Sequence, residues 1–336
     1  MNKPFKQAVV VIVAAVAFLT GRWLWSNNNP QTPINVMPLV GVVQIIEHPA
    51  LDQTRQGIMD ELAEAGFIPE KTMQWDYESA QGNPALASQI IQKFVGQKAD
   101  IIVAIPTTPA QAAAQITQGS KIPVVFASVT DPVGTKLVID PQKPEGNITG
   151  VSNFIEVKKQ IKAFRKILPG LKRLGIIYNP GEANSVILLE KTQSAAKDEG
   201  INLVAIPASK TSEVLTAAQN LIGKIDAIFI NNDNTALAAF DAVTKVGNEH
   251  KIPVFVSDVD CLQKGALAAL GPDQYQLGRQ AGKMVVKILR EKLKPSDIPV
   301  EWPQKVDFKL NIAVAEQLGL QFENDLISQA ERMGNE

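Results

Sequence analysis

One feature limits the fold of this chain more than any other: its apolar runs and helical patterns come twice, in the same order and at nearly the same spacing. LVGVVQII at 39–46 is a β-branched run of strand length. Pro49 to Ala65 then places Leu51, Ile58, Leu62 and Ala65 at helical spacing, and Gly66 ends the pattern. DIIVAI (100–105), a helical stretch from Pro109 to Gln118 and IPVVFAS (122–128) follow. The second half repeats the series with RLGIIYN (173–179), a helix to Glu199 closed by Gly200, DAIFIN (226–231), a helix from Thr235 and IPVFVSD (252–258). Gly41 to Gly66 spans 25 positions, as does Gly175 to Gly200. Lys98-Ala-Asp100 matches Lys224-Ile-Asp226 at an offset of 126, and Lys121-Ile-Pro-Val124 matches Lys251-Ile-Pro-Val254 at 130. Apolar strands alternating with helices predict α/β architecture, with parallel sheets covered by helices on both faces. The repetition predicts two similar Rossmann-like lobes within one chain.

Open α/β sheets bind ligands beyond the carboxyl ends of their strands. The segments there are Gln44-Ile-Ile-Glu47-His48-Pro49, Pro106-Thr107-Thr108-Pro109 and Ser128-Val129-Thr130-Asp131 in the first half. In the second they are Tyr178-Asn179-Pro180-Gly181-Glu182-Ala183-Asn184-Ser185, Asn231-Asn232-Asp233-Asn234-Thr235 and Ser257-Asp258. Pro49 at the first helical position leaves His48 near an N-cap, and Thr108 is the expected N-cap before Pro109. Free N–H groups at such helix starts suit a carboxylate. Asp131, Asp233 and Asp258 offer negative charge to an ammonium group. Together these loops describe a site for a small zwitterion. Asp233 is the acid whose removal is expected to abolish binding and leave the fold intact. Each Ser, Thr, Asn or Asp taken alone reads more simply as a helix cap. It is the convergence of six loops from two lobes that favours a site.

Composition removes other classes. The 336 residues include one Cys and two His, which excludes an internal disulfide framework, multi-thiolate metal centres and HExxH chemistry. There is no G-x-S-x-G elbow, no phosphate-binding P-loop and no G-x-G-x-x-G after the first strand. Binding without catalysis is therefore expected, with no cofactor. The N-terminus carries Lys3 and Lys6 and then twelve consecutive apolar residues, Ala8 to Leu19. Trp23, Trp25 and a polar Asn/Pro-rich stretch follow. This reads as an export segment plus linker over residues 1–37, with membrane contact only through residues 8–25 if it stays uncleaved. Beyond residue 30 the balance is 30 basic against 34 acidic residues, which argues against a nucleic-acid partner.

The segments QIIEHPALDQTRQGIMDELAEAGF, AIPTTPAQAAAQ, FASVTDPVGTKLV, GNITGVSN, IIYNPGEANS, NNDNTALAAF and KGALAALGPDQYQLGRQAGKMVVKIL together resemble the substrate-binding proteins of ABC transporters, in particular the TrpX-like tryptophan-binding group. The resemblance runs from about residue 39 to 322. It implies the type I periplasmic-binding-protein fold, with a three-segment hinge. The crossings are expected near Gly146–Phe154, Cys261–Leu267 and Pro299–Asp307. Lobe one would then be 38–150 plus 267–298, and lobe two 151–266 plus 299–330. It implies a periplasmic or other extracytoplasmic protein that delivers a small ligand to a membrane permease with its ATPase. That ligand is expected to be an amino acid, aromatic in the nearest group; a sugar, nucleoside or other small polar solute is the alternative. By motif, the implied binding residues are Gln44, His48, Thr107, Thr108 and Asp131 in the first lobe. Asn184, Ser185, Asp233, Asn234 and Asp258 are those in the second. The only Cys is Cys261, so the resemblance does not extend to the lipid-modified N-terminal Cys of many members.

Overall fold

The computed structural model describes residues 37–322 and 324–333. Apart from Met37, the expected export segment and linker lie outside the described residues. Among the described residues no helix is long and apolar enough to cross a membrane.

The first lobe runs β1 (Leu39–Gln44), α1 (Pro49–Glu64), β2 (Gln74–Ser79), α2 (Pro84–Gly96), β3 (Ile101–Ile105), α3 (Thr107–Ile116), β4 (Val124–Val129) and β5 (Ile148–Ser152). The second begins with α4 (Val157–Ile167), β6 (Arg173–Tyr178), α5 (Ala183–Asp198), β7 (Asn202–Pro207) and α6 (Val214–Gln219). It continues with β8 (Ala227–Ile230), α7 (Asn234–Ala238), α8 (Phe240–His250), β9 (Val254–Val256) and β10 (Ala268–Pro272). The first sheet has the order β2-β1-β3-β4-β5, all parallel. The second reads β7-β6-β8-β9-β10 from its far edge, the same topology. It is extended by the antiparallel β11 (Val306–Leu310).

The repeated sequence fragments do the same work in both lobes. Asp100 Oδ2 accepts the Leu39 N–H at 2.8 Å, and Asp226 Oδ2 accepts the Arg173 N–H at 2.8 Å. Each carboxylate thus closes the start of the lobe's first strand. The carbonyls of Pro123 and Pro253, from the two KIPV segments, accept from Ile102 and Ile228 at 3.0 and 2.9 Å. Gly66 and Gly200 take positive φ values of 86° and 67°, where a Cβ is disfavoured, as each chain leaves its helix.

Three crossings join the lobes. The chain first leaves lobe one after β5, at Asn153. The second crossing differs from the expected Cys261–Leu267. β10 pairs with β9 and β11, so residues 268–272 remain in the second sheet, and the chain crosses only at Asp273. The Ala- and Gly-rich run hides a central strand: Ala268 and Leu270 pack into one core of lobe two and Ala269 into the other. Helix α9 (Gln274–Glu291) then returns to lobe one. Val300 still belongs to the lobe-one core, and Glu301 bridges to Val151. The third crossing therefore lies between Trp302 and Lys305. The second and third crossings are tied together: Lys305 Nζ lies 2.9 Å from Asp273 Oδ2, and the Asp273 N–H donates to the Lys305 carbonyl. Helices α10 (Ile312–Gln317) and α11 (Asn324–Met333) close the lobe-two side.

Helix α9 packs against α1 with backbone nearly touching backbone. A Cβ on Gly278 would lie 2.1 Å from the Thr54 carbonyl oxygen, and one on Gly57 would lie 2.2 Å from that of Tyr275. Neither backbone can give way locally. Gly278→Ala is expected to destabilise by about 2 kcal/mol, the usual range for overpacking. For a body of this size that lowers Tm by about 5 °C, which thermal denaturation checks. An unchanged Tm would show that the helices separate freely.

Candidate functional site

The carboxyl ends of β1, β3 and β4 meet those of β6, β8 and β9 across the boundary between the lobes. Helix α1 packs against the 3-10 turn Val259–Lys264 of lobe two. His48 Nε2 lies 3.4 Å from Asn234 Oδ1, and Lys191 Nζ of α5 lies 3.5 Å from Asp131 Oδ2. Lys191 also stands 5.2 Å above the ring of Phe154, beside the first crossing. The lobes are closed on one another.

In lobe one, Gln44 ends β1. Its amide nitrogen donates to the Ile46 carbonyl and to Asp52 Oδ1, both at 2.9 Å. His48 takes the expected N-cap position of α1, with Pro49 following, but its ring makes no cap bond. Helix α3 begins at Thr107 rather than after Thr108. Proline is tolerated throughout a helix's first turn because its missing N–H has no partner there. Thr107 is therefore fully buried in the first turn, and Thr108 is partly buried beside it. Beyond β4, Asp131 accepts the Gly134 N–H at 2.8 Å as well as facing Lys191. Ser128 holds a left-handed φ of 58°. Its hydroxyl bonds Thr54 Oγ1 and Gln274 Oε1, each at 2.9 Å. Thr54 and Gln274 carried no sequence signal: one lies inside a helix and the other just after a crossing. Tyr77 stacks under the Arg55 guanidinium at 4.1 Å.

In lobe two a dense polar network surrounds two acids. Asp233 caps α7. Its Oδ1 accepts the Ala236 N–H at 2.7 Å, and its Oδ2 accepts the Asn179 N–H at 2.6 Å and the Ser185 hydroxyl at 2.5 Å. The carboxylate expected to meet a ligand is thus occupied by three internal donors. Glu182, which the sequence reading passed over, is the second acid. Four side-chain donors converge on it: Asn179 Nδ2, Thr235 Oγ1, Asn184 Nδ2 and Asn234 Nδ2. A Glu just before a helix reads as an ordinary first-turn acid, which hid it. Asp258 caps the 3-10 turn through Oδ1, which accepts the Asp260 N–H at 3.0 Å.

Several deeply buried polar atoms at this boundary find no hydrogen-bond partner among the described residues. They are Gln44 Oε1, His48 Nδ1 and Thr107 Oγ1 from lobe one, and Asn184 Oδ1, Asn231 Nδ2 and Asp258 Oδ2 from lobe two. Buried polar groups are nearly always paired, because an unpaired one costs about 1–3 kcal/mol. Six such atoms on facing strand ends are what a site for a polar molecule requires. Two hollows, of about 380 and 240 Å³, lie elsewhere on lobe two, around Phe322 and around Ser194. Neither is lined by these strand-end residues. The unpaired polar groups, and not those hollows, coincide with the candidate site at the strand ends.

The electrostatics follow from burial. Desolvation lowers the His48 pKa to about 4, so the ring is neutral at pH 7. Burial, with the Glu182 charge, pushes Asp233 up to about 7. Burial, with the Asp260 charge, pushes Asp258 up to about 8. The site holds acids that lack a neighbouring cation and would gain from one. Among the described residues, no group of three or more His, Cys, Asp or Glu is arranged to hold a metal ion. Cys261 is buried, and burial raises its pKa far above the ordinary thiol range, so it is packing rather than a nucleophile.

Known proteins share this architecture. The tyrosine-binding protein of Clostridioides difficile is 34% identical over 325 residues, covering 95% of this chain and 93% of its own. A Streptococcus pneumoniae ABC domain solved in complex with L-Trp is 31% identical, with a TM-score of 0.83, over 87% of this chain and 98% of that one. A ligand-free, open substrate-binding protein with adhesive properties from Clostridium difficile is 33% identical, over 86% of this chain and 97% of that one, yet its TM-score is only 0.64. At similar identity the present fold superposes better on the complex than on the open form, in keeping with the contacts made across the lobe boundary. More distant likenesses, at 15–19% identity, share the fold alone. Residues 39–333 match the family of ABC transporter substrate binding proteins, and this chain is a member of that family.

Proposed function

We propose that the protein captures an aromatic L-amino acid, such as tryptophan or tyrosine, between its lobes and hands it to an ABC permease and its ATPase. The observation that carries this reading is the set of six unpaired polar groups on facing strand ends. They comprise acceptors suited to an ammonium and donors suited to a carboxylate, contributed by both lobes. The ligands named for the two relatives above support the aromatic class.

In this reading Asp258 takes the ammonium. Its Oδ2 is buried and free, and the buried acid is relieved when a cation arrives. Asn184 Oδ1 is a second acceptor. The ligand carboxylate sits at the first turn of α3, where the backbone N–H groups and the Thr107 hydroxyl are available. Asp233 positions its neighbours instead of touching the ligand. Ligand contacts from both lobes stabilise the closed form over the open one, which supplies the population shift that the permease reads. Residues 1–37 serve as the export segment and linker that deliver the protein to the extracytoplasmic face.

A thermal-shift panel tests this. L-Tryptophan, L-tyrosine and L-phenylalanine are expected to raise Tm, by the equivalent of about 2.7 kcal/mol at a hundredfold excess over Kd. Myo-inositol, glucose and adenosine serve as controls. A shift with a sugar and none with any amino acid would overturn the reading.

A further inference from the structure

One contact across the boundary has a hydrogen-bond direction that chemistry fixes. Asn234 Nδ2 lies 2.5 Å from Glu182 Oε2. Four donors converge on the Glu182 carboxylate, so it accepts, and Asn234 must turn its NH₂ toward it. The Asn234 carbonyl oxygen, which can only accept, then faces His48 Nε2 at 3.4 Å. Nε2 therefore carries a hydrogen. A neutral imidazole has only one, so Nδ1 is a bare lone pair. Burial keeps the ring neutral, and the nearby Lys264 charge acts in the same direction. Only 4% of His48 is exposed, and Nδ1 finds no donor among the described residues. Water is largely excluded from it. Glu182 and Asn234 belong to lobe two, His48 to lobe one, so closure itself sets the tautomer.

We propose that His48 is a specificity-determining acceptor, held in its Nε2–H form by the Glu182–Asn234 relay of the opposite lobe. The closed cleft then favours a solute that brings a hydrogen-bond donor to Nδ1. An ammonium, an indole N–H or a phenol O–H satisfies it. A carboxylate placed there leaves two lone pairs facing each other, and a methylated equivalent sets a methyl group against Nδ1 with no donor to offer. This rests on the reading that a solute binds in the cleft and deepens it by stating what that solute must present at this point.

The test uses nitrogen NMR of the protein labelled at histidine. The chain has only His48 and His250, and a His250→Gln variant leaves a single ring to observe. In the protein saturated with L-tryptophan, and so held closed, His48 is expected to be neutral at pH 7 and protonated at Nε2. On saturation with L-tryptophan, the Nδ1 signal is expected to move in the direction of an accepted hydrogen bond. His48→Leu should weaken L-tryptophan binding by about ten- to hundredfold, the effect of one buried hydrogen bond. His48→Gln, which keeps an acceptor, should recover part of that loss, and Asn234→Leu should reduce the Nε2–H preference to the smaller one that a free neutral imidazole shows. A protonated Nδ1, a charged ring at pH 7 or an Nδ1 signal unmoved by bound L-tryptophan overturns the proposal. If L-tryptophan leaves Tm unchanged, the amino-acid reading fails instead, and the tautomer measured in the form closed by whichever control solute raises Tm still decides the relay.

Discussion

Asp258→Asn is expected to raise the Kd for L-tryptophan by about a hundredfold or more, the effect of removing one partner from a buried charge pair. The asparagine fills the same volume and keeps an oxygen for the Asp260 N–H, so the fold should stand. The variant carries a second signature, in stability. In the folded protein burial holds the Asp258 pKa at about 8, far above its ordinary value. A raised carboxylate pKa means that the folded state keeps a proton the unfolded chain has released. Its effect on stability is nil below about pH 4. It becomes steadily unfavourable as pH rises toward 8, where the buried group must finally ionise. Asp260, raised by burial to about 6, acts in the same direction. His48, with its lowered pKa, acts in the opposite direction between about pH 4 and 6.5. The Tm difference between Asp258→Asn and the unaltered protein should therefore widen in favour of the variant from pH 4 to 8. A ligand ammonium placed against Asp258 would also restore its charge. L-Tryptophan binding at pH 7 should then release a proton, seen by calorimetry in buffers of different ionisation heat. No proton release, together with unchanged affinity in the variant, would place the ammonium elsewhere.

Asp233→Ala is expected to fail in a different way. The change leaves the Ala236 and Asn179 N–H groups and the Ser185 hydroxyl, all buried, without their acceptor. Losing the N-cap alone costs about 1 kcal/mol, and each further orphaned donor about 1–3 kcal/mol. Relief of the raised Asp233 pKa offsets much of this, leaving a loss of up to about 3 kcal/mol and a fall in Tm of up to about 5 °C. Ligand binding should weaken as well, because Asn184 and Asn234 rest on the same network. The discriminating measurement is Tm without added amino acid. A variant with unchanged Tm and no binding would return Asp233 to the role of direct ligand contact, as its sequence position suggests.

The two acids show how far residues alone can be read. Asp233 and Asp258 stand at equivalent places, just beyond apolar strands and just before helical turns. Periodicity locates both at strand ends, and cap chemistry explains both. Whether an oxygen is free depends on what lies 48 or 54 positions away in the chain: Ser185 and the Asn179 N–H reach Asp233 from the loop after β6 and the start of α5. Asp258 Oδ2 has no hydrogen-bond partner among the described residues. Glu182 reads locally as a first-turn acid beside Asn179 and Asn184, while Asn234 and Thr235 reach it from 52 and 53 positions away. Thr54 and Gln274 stabilise the left-handed Ser128 from elements that meet only in space.

The sequence by itself determined the α/β class, the doubled topology and the strand ends where chemistry gathers. Those depend on the local period of apolar residues and on short motifs, and Lys98-Ala-Asp100 with Lys224-Ile-Asp226 repeats because each Asp closes its own lobe's first strand. Only the tertiary structure decided where the second crossing falls, which acid is spent on the fold and which keeps a free oxygen, and which side chain of the opposite lobe His48 faces. Each of these depends on partners distant in the chain that burial brings together, and on the absence of water to substitute for them.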